Sequence, residues 1–529
     1  MRRPLLRSLA FAALLAGALL APAQTRAQLD AAARARALIA GLDLDDARRE
    51  LTAAREGDDP AIARERARLA IYELDCDGAA AILARPEVQK DGDGEQLADI
   101  ARGCQRVTAA LLSDKDEARH IEVRWQDEHD RALAPLLFET VASAREALTR
   151  DLGVDWPKPT RIVVVRDLLS LSAMTGLPYK SARTTGTVAV AKWGRVTLLS
   201  PRASLHGYPW RDTVAHELTH LAVTRASRDQ APLWLQEGVA KREETRWRPP
   251  GPLDDRPPPD AVVQHGFELG LGLPLDRLGP SIAMLPSADA AMVAFAEVTS
   301  FVRFYAKSAG DDALPKLLGG LKAGSSSDEA LAAASGADLK AWDKRWRAFL
   351  DAKPREPVPA LFGLGGDRAD AARMRDLRDR TRLAQLLLAR SGQAYAPAAL
   401  KELDRIELAG SPVSSQGSER VAGDPSIRWL RARALEEAGR RGEGEPLVSD
   451  PKQLLSPFGP WWAIRGRWER LDGDEAGAAA SFWEAVAADP FDPEGACETI
   501  DASAPAADRA SAPLCDAARA RDEPPFEDH

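Results

Sequence analysis

Apolar positions recur at helical spacing along most of the chain and give way to β-branched runs only over a short central stretch. From residue 28 to 118, Ala and Leu alternate with Arg, Asp and Glu, as in Leu38-Ile39-Ala40-Gly41-Leu42-Asp43-Leu44. That pattern predicts helical hairpins and almost no strand. A helical stretch near Leu136 to Leu152 precedes Ile162-Val163-Val164-Val165, a continuous β-branched run that predicts a buried strand. Thr187 to Ala191 and Arg195 to Leu199 flank Lys192-Trp193-Gly194 and predict a hairpin. Between Asp212 and Val223, Val214, Ala215, Leu218, Leu221 and Ala222 fall on one helical face, with Asp212 or Thr213 placed to cap its start. Trp234 to Ala240 predicts a second helix. After the Pro- and Gly-rich stretch from Lys353 to Gly366 the pattern is helical again to about residue 500.

The first residues add a destination. Arg2, Arg3 and Arg7 precede an apolar core from Leu9 to Leu20 and the small-residue sites Ala21-Pro22-Ala23 and Thr25-Arg26-Ala27, the order of a secretory signal peptide. The core is short for a membrane span, and no later stretch is long and apolar enough for one. Cysteine usage agrees with export: Cys76 with Cys104 and Cys497 with Cys515 form two local pairs, expected as disulfides, with buried free thiols as the alternative. Formal charge is −9, and −12 once residues 1 to 23 are removed. With no basic stripe carrying interleaved aromatics, such a chain is a poor nucleic-acid binder.

Chemistry concentrates in His216-Glu217-Leu218-Thr219-His220. On a helix the two imidazoles at i and i+4 lie about 6 Å apart on one face and can hold one metal ion, with Glu217 beside its open position. Zinc in such a site brings the pKa of a bound water to roughly 7, and a neighbouring carboxylate takes the proton and returns it to a leaving amine. A third protein ligand completes the set, and Glu237 in Trp234-Leu235-Gln236-Glu237-Gly238-Val239-Ala240 supplies it. The plainer alternative is a core helix with two hydrogen-bonded histidines.

Both motifs, in this order, resemble the gluzincin clan of metallopeptidases, and within it bacterial families with Trp-Leu-x-Glu-Gly-x-Ala after the His-Glu-x-x-His helix. The resemblance covers about residues 120 to 350. It implies an α+β zincin-like domain, one Zn2+ per chain on His216, His220 and Glu237, Glu217 as general base, and peptide or protein substrates. It also implies an edge strand beside the cleft that pairs with extended peptides. The tyrosine that related sequences carry to stabilise the oxyanion is replaced by Phe295; Tyr305, Tyr208, His206 and His265 are unranked substitutes.

In the C-terminal third, Trp462, Gly466, Ala478, Phe482, Ala485 and Pro490 fall where a tetratricopeptide repeat places these residue types, with Gly473 at its turn and a degenerate partner near Trp429, Ala434 and Leu435. One repeat cannot bury its own apolar face, so neighbours are required, and a concave surface for a protein partner is one use of them. The expected organisation is therefore a signal peptide (1–23, with cleavage at 27 as the alternative), a helical repeat-like domain (28–118), the zincin-like domain (119–352), a linker (353–375), a tetratricopeptide-like helical domain (376–500) and a tail (501–529). The Pro-rich segment from Arg248 to Pro259 reads as a surface insertion sooner than as a cover for the cleft. Two functions stand: an exported zinc metallopeptidase, favoured by the intact Glu217, or a zincin-fold scaffold whose repeats bind a partner, favoured by the missing tyrosine.

Overall fold

The computed structural model describes residues 23–54, 59–154, 158–204, 206–279, 281–356, 358, 368–410, 425–454, 457–498 and 513–520. The apolar run ahead of residue 23, read as a signal peptide, lies outside them, as does most of the linker. No helix among the described residues is long and apolar enough to cross a membrane.

One mixed sheet organises the middle of the chain. Its strands are β1 (Leu112–Asp116), β2 (Ile121–Trp125), β3 (Thr160–Val165), β4 (Ala189–Lys192) and β5 (Arg195–Leu199), in the order β1-β2-β3-β5-β4. β2, β3 and β5 run parallel; β1 and β4 pair antiparallel at the two edges. The β4–β5 turn places Trp193 and Gly194 at φ 57° and 68°, the paired positive values of a tight two-residue hairpin. β1 starts inside the stretch read as helical. Its sequence, Leu-Ser-Asp-Lys-Asp, has little strand character of its own, and only pairing with β2 makes it a strand.

Period-two alternation sorts the β-branched run between two cores. Ile162 and Val164 join Val196 and Leu198 against the helices α1 (Ala134–Leu152) and α2 (Trp210–Ser227). Val163 and Val165 face the other way, onto Cys76, Cys104, Leu171 and Met174. Cys76 and Cys104 form one disulfide and Cys497 and Cys515 the other. The N-terminal helices are tied to the sheet by Arg195, fully buried on β5, whose guanidinium donates to the carbonyl of Ile71 at 2.6 Å.

Behind the sheet, α2 packs on α3 (Leu233–Glu243), and α3 on α4 (Ala288–Ala309). Gly238 permits that second contact: a Cβ there would stand 2.3 Å from the Val302 side chain and 2.7 Å from the Val298 carbonyl. On α4, Glu297 is fully buried and accepts the Leu273 N–H at 3.2 and 3.3 Å. Burial pushes its carboxyl from 4.5 up to about 8. The folded state therefore holds a proton that the unfolded chain gives up, so this group's contribution is full below pH 4.5 and is lost as pH rises through about 8. Glu297→Gln is expected to lose part of the fall in Tm between pH 5 and pH 8. Calorimetry at the two values checks this, and an unchanged fall would refute it.

The C-terminal helices form hairpins: Pro425–Glu437 with Arg441–Val448, and α5 (Gly459–Leu471) with α6 (Glu475–Ala488). Gly466 lies under Phe482, where a Cβ would be 2.9 Å from the ring. Three expectations change here. The helix Arg368–Gly410 begins within the segment read as linker. Leu514, Ala517 and Ala518, read as tail, are buried in the main core, to which the Cys497–Cys515 bridge leads. The Pro-rich segment is built into the fold: Leu253, half-buried, packs against the core of the C-terminal hairpins, and Arg256 donates to the Lys452 carbonyl at 2.8 Å. An apolar side chain with a ready core to enter outweighs the loop character of its prolines.

Candidate metal centre

α2 begins at Trp210, without a side-chain cap. Asp212, expected with Thr213 as one of two possible caps, instead accepts Arg248 at 2.6 Å and the Trp247 indole at 3.0 Å, which anchors the Pro-rich segment. Val214, Ala215, Leu218, Leu221 and Ala222 are buried, which turns His216, Glu217 and His220 toward α3 and β4.

Three donor atoms converge there. His216 Nε2 lies 3.2 Å from His220 Nε2; Glu237 Oε2 lies 3.6 Å from the first and 3.4 Å from the second. Among the described residues this is the one group of three His, Cys, Asp or Glu side chains placed to hold a metal ion, and its ligand atoms all lie within 4.8 Å of one another. Ligands about 2.0–2.1 Å from a tetrahedral ion are about 3.3 Å apart, so these spacings fit one ion with a vertex to spare. Two neutral imidazoles and one carboxylate are a donor set that suits zinc.

Electrostatics make the same point. Burial alone would lower the His216 imidazole, but Glu237 and Glu244 outweigh it and bring the group up to about 9. His220 is raised too, its burial offset mainly by Glu237, and Glu237 is held well below the usual carboxylate range by both imidazoles against its own burial. Without a cation the carboxylates recruit protons onto the histidines, and a divalent ion answers the same negative field.

Glu217 is nearly buried, and its Oε2 accepts the N–H of Ala191 at 2.5 Å. Ala191 sits opposite Val196 in the β4–β5 register, and its N–H is turned to the free edge of the sheet. The base candidate is thus fastened to the edge strand. One further part was not anticipated. Glu244 Oε2 lies 3.2 Å from His216 Nδ1 and accepts from it when that nitrogen carries the proton, and the same carboxylate takes Lys241 Nζ at 2.5 Å. It lies seven residues after Glu237, two helical turns on the same face, a spacing that a search for outer carboxylates would have found. Glu244→Gln should weaken zinc affinity by about 10–100-fold. Competition titration against a chelator reads this; affinity equal to wild type would exclude the role.

Of the four residues weighed as oxyanion donors, Tyr305 is buried against Trp342, His265 pairs with Glu268, and His206 packs on Phe458. Tyr208 feels Glu217: burial first, then Asp130 and Glu217, push its phenol well above 10. Its hydroxyl donates to the Leu199 carbonyl.

Next to the cluster lies a cavity of roughly 910 Å³. Thr213 and Lys241, one turn from His216 and Glu237 respectively, stand at its wall with Phe295, the Pro-rich segment, and Trp483 and Glu484 of α6. Arg211 lies between the Trp247 and Trp483 rings, 4.7 and 5.0 Å from their centroids, and pairs with Glu139. Arg248 pairs with both Asp212 and Asp254, and Arg303 with Asp255.

Comparison with curated proteins gave no match. Residues 142–352, which include α2, α3 and all four residues of the cluster and its candidate base, match the family model of the Peptidase MA superfamily.

Proposed function

We propose that this chain is an exported zinc-dependent metallopeptidase in which His216, His220 and Glu237 hold the ion and Glu217 is the general base. The observation that carries this reading is the 3.2, 3.4 and 3.6 Å triangle of donor atoms, with Glu217 fastened beside it to an open sheet edge. His216, His220 and Glu237 would hold a zinc ion, which would supply Lewis acidity for a carbonyl and for water near neutral pH. The chain's own groups do the rest. Glu217 accepts a proton from water and passes it to the amide nitrogen as the C–N bond breaks. The free edge of β4 aligns an extended peptide by backbone hydrogen bonds. Glu244 holds His216 by Nδ1, which leaves Nε2 facing the ion.

The helical flanks frame this site. Arg225 near the end of α2 donates to Leu42 and Asp43 of the N-terminal helices, and Gly207, just before α2, lies against the end of α6, where a Cβ would be 2.3 Å from the Ala488 carbonyl. We read the α5–α6 hairpin and its neighbour as tetratricopeptide-like units that restrict access to the cleft. Two disulfides suit an oxidising, extracytoplasmic compartment. One observation favours the second reading, a zincin-fold scaffold: Phe295, which offers no hydroxyl to an oxyanion, lines the cavity beside the site.

Zinc-loaded protein incubated with a quenched-fluorescent peptide library separates the two. Hydrolysis that a chelator stops and zinc restores supports the peptidase; a zinc-replete protein that cleaves nothing refutes it.

A further inference from the structure

The cavity beside the metal cluster carries one carboxylate that, among the described residues, has no hydrogen bond or ion pair of its own. Arg211, Lys241, Arg248 and Arg303 on its wall each meet a carboxylate described above, and Arg256 is turned to the Lys452 carbonyl. Glu484 is the exception. Among the described residues its carboxylate makes no hydrogen bond and no ion pair; Arg248, the cation that acts on it, is already shared by Asp212 and Asp254. The surrounding wall is apolar and aromatic, with Met292, Phe295, Trp247 and Trp483 and the prolines of the 248–259 segment. A carboxylate facing such a wall suits an aliphatic stem that ends in a cation. Burial, with Asp212 and Asp254, raises the pKa of Glu484, a penalty that a bound cation would relieve.

We propose that this cavity takes a cationic nitrogen of the peptide substrate, a lysine or arginine side chain or a free amino terminus, with Glu484 as its counter-ion. The C-terminal hairpin then sets substrate preference by contributing one wall of the cleft. The word substrate rests on the peptidase reading; the binding preference itself does not require turnover.

The test uses the full chain carrying Glu217→Gln, so that binding is read without cleavage. Fluorescein-labelled octapeptides with one lysine at each position in turn are compared by anisotropy with their norleucine counterparts, each with a free and an acetylated amino terminus. At the position that enters the cavity, lysine should bind about tenfold tighter than norleucine. Adding Glu484→Gln should close that gap, and Glu484→Lys should turn the preference toward glutamate. A lysine preference assigns the cation to a side chain; equal lysine and norleucine binding that acetylation weakens about tenfold assigns it to the amino terminus. Equal affinity for lysine and norleucine that acetylation leaves unchanged, a preference of either kind that survives Glu484→Gln, or no peptide binding at all would overturn the proposal. Wild-type protein that shows the preference yet cleaves none of these peptides leaves the cation site standing and removes the peptidase reading; cleavage without the preference does the reverse.

Discussion

Glu217→Gln should lower kcat/KM for any cleaved peptide by about 10²–10⁴-fold while zinc content stays at about one per chain. The amide has the carboxylate's shape and keeps an oxygen for the Ala191 N–H, so the link to β4 survives. What it lacks is basicity: it can neither take a proton from water nor hand one to the leaving amine. His216, His220 and Glu237 keep their places, because Glu217 makes no contact that holds them together. Most of the loss should fall on kcat, since proton transfer matters in the transition state and not in substrate binding. Elemental analysis beside steady-state kinetics reads both quantities. A variant that retains zinc and cleaves within tenfold of wild type would remove Glu217 from the mechanism.

His216→Ala should reduce zinc from about one per chain to near zero after dialysis. Two protein ligands hold zinc far more weakly than three, and Glu244 loses the imidazole it orients. The purified wild-type protein, reloaded and dialysed, should show a Tm that rises with added zinc by mass action, and the variant should show no such rise. Wild-type protein that holds no zinc after reloading would refute the metal centre. The effect has a pH dependence with a definite sign. In the metal-free chain His216, raised from 6.5 to about 9, contributes stability that is full below 6.5 and is lost as pH rises through about 9. Zinc must displace that proton, so its affinity should strengthen as pH rises across the same window.

How much of this was legible from the residues alone depends on the distance over which each feature is determined. His216, Glu217 and His220 were legible because a helix repeats locally: once Val214, Leu218 and Leu221 are apolar, the opposite side of the same turns must carry the imidazoles. Glu237 was legible through its motif, and Gly238 beside it has a physical reason in the 2.3 Å approach to Val302. Glu244 followed the same face two turns later and was overlooked, since a lysine- and glutamate-rich helix end usually means a solvated surface. β1 escaped because its five residues form a strand only against β2.

The amino-acid sequence by itself determined β3, the β4–β5 hairpin, α1, α2 and α3, the identity of the four clustered side chains and the two cysteine pairs, because these follow from periodicity, residue chemistry and short separations. Tertiary structure alone decided what those residues meet. The N–H of Ala191 on Glu217, Leu253 of the Pro-rich segment against the C-terminal core, and Glu484 at the cavity wall each join parts of the chain that no local pattern relates. Such contacts depend on how helices and sheet pack against one another, and packing is decided by complementary shape and buried apolar area over the whole core, not by any one segment.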